Sequence, residues 1–257
     1  MDEKRLPFTE HLAELRRRLI ASIVPVTVGF FLFFLTSADR LFDFLIAPML
    51  AKLPSESARL VYTGYLDVFF IHLKISALAS IFLCIPWIFY QLWLFIAPGL
   101  YEHERRLVLP FVVGSTFFFV SGGAFGYFVV LPVAFNFLIH YSTSEHIAPM
   151  ISVAEYFTTT TRLLLAFSVA FELPMFLVFA SKLGFVTAET LTRYRKYAIV
   201  LSFVIGAMLT PPDVITQCLL AMPMLVLYEL SIVGVRFFAR QAEAAGHGRG
   251  KGEKGPE

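Results

Sequence analysis

Apolar residues form six long runs along the chain, separated by short polar gaps, and this pattern predicts six membrane-spanning helices. The predicted spans cover residues 19–37, 68–97, 107–139, 157–180, 197–209 and 214–238. The second and third spans exceed the roughly 20 residues that cross a bilayer core, so we expect them to tilt or to extend past it. The fifth span, residues 197–209, is short, because so few residues at a rise of about 1.5 Å each do not reach across the bilayer core. We expect the sixth span to be short as well.

A helical period is also visible before the first run. In FTEHLAELRRRL, Leu12, Leu15 and Leu19 fall on one stripe of an amphipathic helix. We interpret the apolar run that follows as a retained first helix and not as a signal peptide, because it is long and five further spans follow. Nearly every span contains a proline, and bent helices of unequal length predict a concave body. The membrane domain should cover residues 1–240, and residues 241–257 should form a disordered cytoplasmic tail.

Composition agrees with a polytopic, all-α membrane protein. Of the 257 residues, 58% are hydrophobic and 16% are charged, whereas a soluble domain carries roughly 25% charge. Lysine and arginine concentrate in the N-terminal segment, the second and fourth gaps and the tail, so both termini should face the cytoplasm. Cys84 and Cys218 lie inside apolar runs, which excludes a disulfide framework and a cysteine metal site. No enzyme motif, cofactor site, metal site or nucleic-acid site is predicted.

Acids stand among basic residues at two places on the predicted cytoplasmic side. In the second gap, LYEHERR, Glu102 has Arg106 as an i,i+4 partner, whereas Glu104 has no such partner. In the N-terminal segment, Glu14 and Arg18 form another i,i+4 pair. Each acid is either an ordinary surface charge or a carboxylate presented at the membrane surface to bind a cation. The spacing alone leaves both interpretations open.

Another acid, Glu172, lies inside the fourth span. An ionisable group at membrane depth usually faces a cavity or a partner. The alternative is a protonated side chain bonded to backbone that Pro174 leaves free. Glu172 also keeps open a second function, a proton-coupled secondary transporter of a small solute, although no internal repeat supports it. Thr210 and Gln217 flank the short fifth gap and are suited to hydrogen bonds with another membrane helix.

Four motifs in a fixed order, HLAELRRRL, FIAPGLYEHERR, FELP and LTPPDVITQCLLAMPMLVLYEL, resemble TatC, the multispanning subunit of the twin-arginine protein translocase. The resemblance covers about residues 8–240. It implies a non-enzymatic receptor for signal peptides that carry a consecutive arginine pair. It further implies assembly with single-span TatA- and TatB-like subunits, a homo-oligomeric complex, and export of folded proteins across the bacterial inner membrane by the proton-motive force.

The resemblance also implies a signal-peptide site at the cytoplasmic face. Glu14 and Glu104 match the family's recognition acids, and Arg16 matches an arginine beside the first of them. The apolar part of the signal would lie near Phe95 and Tyr101. Guanidinium groups bind carboxylates through two parallel hydrogen bonds, and lysine cannot reproduce that geometry. Two spaced carboxylates would therefore favour an arginine pair over lysines.

The other matched positions have three implied roles: an intramembrane acid at Glu172, structural positions at Pro48 and Asp213, and partner-helix docking at Thr210 and Gln217. One departure from the family pattern lies near the start of the second span. Where an acid is expected in some relatives, this chain has Gly64, with Asp67 nearby. Any role of an acid at that position is therefore in doubt.

Overall fold

The computed structural model describes residues 8–51, 60–62, 64–96, 108–142, 151–209 and 214–249, and nearly all of them are helical. In chain order, the helices are α1 (Phe8–Thr36), α2 (Ala38–Leu50), α3 (Asp67–Ile96), α4 (Val108–Phe125), α5 (Leu131–Ser142), α6 (Val153–Phe171), α7 (Leu173–Lys182), α8 (Ala188–Arg193), α9 (Arg195–Leu209) and α10 (Val214–Arg249). A π-helical turn, Gly126–Val130, joins α4 to α5, and two-residue strands β1 (Leu60–Val61) and β2 (Ile151–Ser152) pair in parallel.

Among the described residues, five segments are long and apolar enough to cross a membrane: Glu10–Thr36, Asp67–Ile96, Val108–Phe137, Val153–Lys182 and Gln217–Phe237. They coincide with predicted spans one to four and six. The fifth predicted span is α9, whose 15 residues extend only about 22 Å at 1.5 Å per residue. The multispanning, all-α architecture is therefore confirmed, and α9 is too short to cross a 30 Å core unaided.

The last helix is longer than we predicted. Helix α10 has 36 residues and continues to Arg249, so the first part of the predicted tail is helical and residues 250–257 lie outside the described part of the chain. The apolar segment within it, Gln217–Phe237, has 21 residues, which matches one bilayer crossing. The reason is that Ala, Glu, Gln and Arg after residue 238 are strong helix formers, so the helix outlasts its apolar run.

The chain divides into two compact units, residues 1–168 and 169–257. In the first unit, α1 runs antiparallel to α3. Trp87 Nε1 donates to the Ala21 carbonyl at 2.9 Å, and Ser80 Oγ donates to the carbonyl of Val26. A Cβ placed on Gly29 would lie 2.8 Å from Ser80 Oγ, so a larger residue would have to displace the hydroxyl that joins the two helices.

Two tyrosines hold α2 inside the first unit. Pro48 lies in α2 and has no N–H, so the carbonyl four residues earlier, at Phe44, loses its helical donor. Tyr127 Oη donates to that carbonyl at 2.5 Å, and Tyr156 Oη donates to the next one, at Leu45, at 2.6 Å. The structure thus supplies from another helix the hydrogen bond that the proline removes.

The strand pair shows which connecting segments lie at the same end of the first unit. Leu60 lies opposite Ile151 and Val61 opposite Ser152. The segment between α2 and α3 and the segment between α5 and α6 therefore meet at the same end. This agrees with alternating crossings by α1, α3 and the helix that runs from α4 to α5.

The second unit packs α10 against α7, α8 and α9. Tyr228 Oη donates to the Leu191 carbonyl at 2.8 Å, and Arg195 pairs with Glu229 at 2.7 Å. Thr187 caps the start of α8 by accepting the Thr190 N–H at 3.2 Å. The concave shape remains a prediction.

Candidate functional site

The start of α1 and the end of α3 form a polar cluster at the end of the first unit opposite the strand pair. The two helices run antiparallel, so residues near 11–18 of α1 meet residues near 91–95 of α3. Predicted site residues Glu14 and Phe95 both belong to this cluster. Glu14 is three residues from His11 and four from Arg18, so all three share one helical stripe.

Arg18 connects the two helices. Its Nη2 lies 3.2 Å from Glu14 Oε1, and its Nη1 donates to Gln91 Oε1 at 3.1 Å. The side chains of Arg18 and Glu14 are 27% and 26% exposed, and Gln91 is 5% exposed. Glu14 and Gln91 thus present two oxygen acceptors, 77 residues apart in sequence, to one guanidinium.

An aromatic pair adjoins these acceptors. The rings of His11 and Phe95 stack with centroids 4.6 Å apart and planes 23° apart. Phe95 follows Gln91 by one helical turn, so it lies on the same face of α3. The cluster therefore combines a half-buried carboxylate, a buried amide and a flat apolar surface.

The two remaining arginines of the motif, Arg16 and Arg17, are exposed on α1. Neither forms an ion pair with a described acid. The predicted partner acid Glu104 and the predicted contact residue Tyr101 lie outside the described residues. Of the signal-peptide residues that the sequence indicated, the structure therefore brings together Glu14 and Phe95 and leaves Arg16 on the exposed side.

Glu172 lies where the fourth span is interrupted. Because Pro174 has no N–H, α6 ends at Phe171 and α7 begins at Leu173, with Glu172 as the residue between them. Its carbonyl accepts the Phe176 N–H at 2.9 Å, and its own N–H donates to Val169 at 3.1 Å. The acid is therefore part of a helix break inside an apolar segment.

Among the other predicted residues, Gln217 is described and Thr210 and Asp213 are not. Gln217 Nε2 donates to the Phe203 carbonyl at 2.9 Å, which ties α10 to α9. Gly206 allows this contact, since a Cβ there would lie 3.2 Å from the Gln217 carbonyl oxygen. At least one N–H of the Gln217 amide is therefore used for a hydrogen bond within the chain, between α10 and α9.

Asp67, noted beside Gly64, bonds locally. Its Oδ2 accepts the Gly64 N–H at 2.6 Å at the start of α3. A Cβ on Gly64 would lie 2.7 Å from Asp67 Oδ1, so a larger residue there would displace the carboxylate from this contact. The departure from the family pattern is therefore coupled to a helix-start contact.

Sequence reasoning missed Gln91 and the bridging role of Arg18. A signal was present, because Gln91 is the single amide side chain among the aliphatic and aromatic residues of the stretch WIFYQLWLF. Such a residue in a buried helix needs a partner. The partner could not be named from the sequence, since Arg18 lies 73 positions away.

Comparison with known proteins places this architecture among membrane components of protein translocases. The family model of the Sec-independent protein translocase protein (TatC) matches residues 10–223. The TatC of Desulforapulum autotrophicum is 44% identical over 243 residues, covering 95% of this chain and 89% of that protein. The TatC of Escherichia coli strain K12 is 40% identical over 236 residues, covering 92% and 90%.

Solved structures agree with the sequence matches. A crystal structure described as the twin arginine translocase receptor TatC in DDM superposes with a TM-score of 0.80 at 42% identity, covering 88% of this chain and 99% of that one. A second receptor structure gives 0.79 at 41% identity, covering 88% and 98%. The chain belongs to the TatC family.

Proposed function

We propose that this chain is the receptor of a twin-arginine translocase and binds signal peptides through Glu14 and Glu104 at the cytoplasmic face of the bacterial inner membrane. Both termini face the cytoplasm. The bound chain then assembles with single-span TatA- and TatB-like subunits and further copies of itself, and export of folded cargo uses the proton-motive force. Family membership and the receptor description of the two structural relatives support this function.

One observation carries the proposal. Glu14 Oε1 already binds a guanidinium, that of Arg18, at 3.2 Å, beside Gln91 and next to the stacked ring of Phe95. The cluster therefore has the size and chemistry that an arginine side chain requires. The flat face of Phe95 is suited to the apolar residues that accompany an arginine pair in a signal peptide.

The energetics favour arginine over lysine. A hydrogen bond to a charged group contributes about 1.5–3 kcal/mol, and a factor of ten in affinity corresponds to about 1.4 kcal/mol. Removing the charge of Glu14 should therefore weaken peptide binding about tenfold or more. Lysine presents a single ammonium and cannot form the paired bonds of a guanidinium fork, so a twin-lysine peptide should bind less tightly.

Other residues serve later steps in this proposal. Glu172 acts inside the membrane, after surface binding, where the signal peptide inserts. Thr210 and Gln217 contribute to docking of partner helices, and Pro48 and Asp213 are structural. Arg16 supports the recognition acid, and Tyr101 adds apolar contact beside Phe95.

The test is binding of a labelled twin-arginine signal peptide to the full chain in lipid nanodiscs. We would compare it with a twin-lysine peptide and with Glu14→Gln and Glu104→Gln. Two variants are the matched controls: Glu189→Gln, at an exposed acid on α8, and Glu102→Gln, in the same sequence motif as Glu104. We expect the lysine peptide and the two site variants to lose about tenfold in affinity and the controls to bind normally.

Export assays extend the test to function. Glu104→Lys should abolish export of twin-arginine cargo while the protein remains folded, because the sequence predicts this residue in a polar gap outside the apolar spans. Equal binding by all peptides and variants would overturn the receptor assignment. The solute transporter centred on Glu172 would then be the better explanation.

A further inference from the structure

We propose that Arg18 is a resident ligand of the Glu14 carboxylate, which a signal-peptide arginine must displace before it can bind. This inference rests on the proposed function and adds a regulatory device to the same site. In the chain without peptide, Arg18 occupies the position that the proposal assigns to an incoming guanidinium, with Nη2 3.2 Å from Glu14 Oε1.

The resident contact is weak enough to exchange. Arg18 gives Glu14 one hydrogen bond, and at 3.2 Å it is longer than the roughly 2.7–2.9 Å of a strong charge-assisted bond. An incoming arginine that forms two parallel bonds to both carboxylate oxygens would therefore outcompete it. Within the described part of the chain, Glu14 forms no other hydrogen bond, so its Oε2 remains available for the second bond of such a pair.

Gln91 holds the resident arginine in place. Its Oε1 accepts from Arg18 Nη1 at 3.1 Å, and the amide is 5% exposed on α3. Because Gln91 is buried and stays in place, its hydrogen bond keeps Arg18 beside Glu14 while no peptide is bound. Arg18 Nε is buried and forms no hydrogen bond to a described residue. The guanidinium is therefore anchored at two points and not fully satisfied, as expected of a ligand that can leave.

Competition has a definite thermodynamic signature. A side chain that occupies Glu14 multiplies the association constant of every ligand for that acid by the fraction of molecules in which the acid is free. If Arg18 occupies Glu14 about 80% of the time, its removal raises peptide affinity about fivefold. The same factor applies to twin-arginine and twin-lysine peptides, so their affinity ratio stays constant.

The experiment measures peptide binding to full-length chain in nanodiscs for Arg18→Gln and Arg17→Gln. Arg17 is exposed on the same helix and contacts no described acid, so Arg17→Gln removes the same charge without emptying Glu14. We expect Arg18→Gln to bind the twin-arginine peptide about fivefold tighter and Arg17→Gln to bind it unchanged. In a Glu14→Gln background, Arg18→Gln should give no gain.

Gln91→Leu provides a second, milder variant that keeps the side-chain volume. It should raise affinity by less than Arg18→Gln, and it should add nothing when Arg18 is already glutamine. Tight binding that depends on Glu14, without any gain from Arg18→Gln beyond Arg17→Gln, would refute the resident-ligand proposal and leave the receptor function intact. A change in the arginine-to-lysine ratio would also refute it, because Arg18 would then contact the peptide directly. Equal binding by the parent chain and Glu14→Gln would instead refute the receptor function.

Discussion

Removing the hydroxyl of Tyr127 should destabilise the first unit more than removing that of Tyr156, although both reach adjacent carbonyls of α2. Tyr127→Phe keeps the ring that stacks on Phe44 with centroids 4.6 Å apart, so the substitution isolates the hydrogen bond. Residue 48 is proline, so the Phe44 carbonyl has no N–H four residues later to replace the lost donor. The Leu45 carbonyl, in contrast, still has the backbone N–H of Met49 four residues later.

The expected magnitudes follow from this difference. A buried carbonyl left without a donor costs about 1–3 kcal/mol, whereas a lost hydrogen bond whose acceptor keeps another partner costs about 0.5–1.5 kcal/mol. Tyr127 is 8% exposed and Tyr156 is 3% exposed, so water cannot readily replace either hydroxyl. We expect Tyr127→Phe to reduce the free energy of unfolding by about 1 kcal/mol more than Tyr156→Phe does.

The assay is reversible unfolding in mixed micelles, followed by circular dichroism and tryptophan fluorescence. Pro48→Ala restores the missing N–H and provides the control. In that background, the cost of Tyr127→Phe should fall to the level of Tyr156→Phe, which a double-mutant cycle measures as a coupling energy. The reasoning fails if the two tyrosine variants lose equal stability, or if Pro48→Ala leaves the cost of Tyr127→Phe unchanged.

Three further predictions test other contacts. Gly29→Leu should force α1 away from α3 and lower the free energy of unfolding by about 1–3 kcal/mol, measured by thermal unfolding. Val28→Leu, at a position that is 64% exposed, should change this free energy little. Equal losses of stability in the two variants would contradict the close approach of the helices. The pKa of the Glu189 carboxyl lies below its usual range, first because its own backbone N–H donates to it and then because Thr187 does. This depressed pKa contributes stability above the unfolded-state pKa, which is lost as the pH falls through the folded-state pKa. Thr187→Ala should raise the pKa of Glu189 in a carboxyl NMR titration, and an unchanged value would exclude the threonine as a cause. Glu172→Leu should keep surface binding of the signal peptide but impair its insertion, which crosslinking at membrane depth would detect; loss of surface binding would contradict that division.

Much of the architecture could be predicted because it depends on local composition. Apolar runs of about 20 residues can only be satisfied in a bilayer as helices, which pair their own backbone groups. The interruption at Glu172 follows from Pro174 for the same local reason. The extension of α10 to Arg249 was missed, because its polar residues form helix as readily as a tail and composition alone does not decide between the two.

The candidate site could be predicted only in part, for a related reason. Spacing predicted the Glu14–Arg18 pair, which lies at 3.2 Å in the structure, because residues four apart share a helical face whatever the rest of the chain does. The Gln91 contact depends instead on the antiparallel packing of α1 on α3. No local sequence pattern indicates which turn of α1 packs against which turn of α3.

The sequence by itself determined the spans, the acids among basic residues and the proline that removes a donor from Phe44. Only the tertiary structure decided that Tyr127, 83 residues away, supplies that donor, and that Gln91 fixes Arg18 against Glu14. The physical reason is one of range. Helix formation and i,i+4 pairing are set within a few residues, whereas buried polar groups find partners wherever packing brings them.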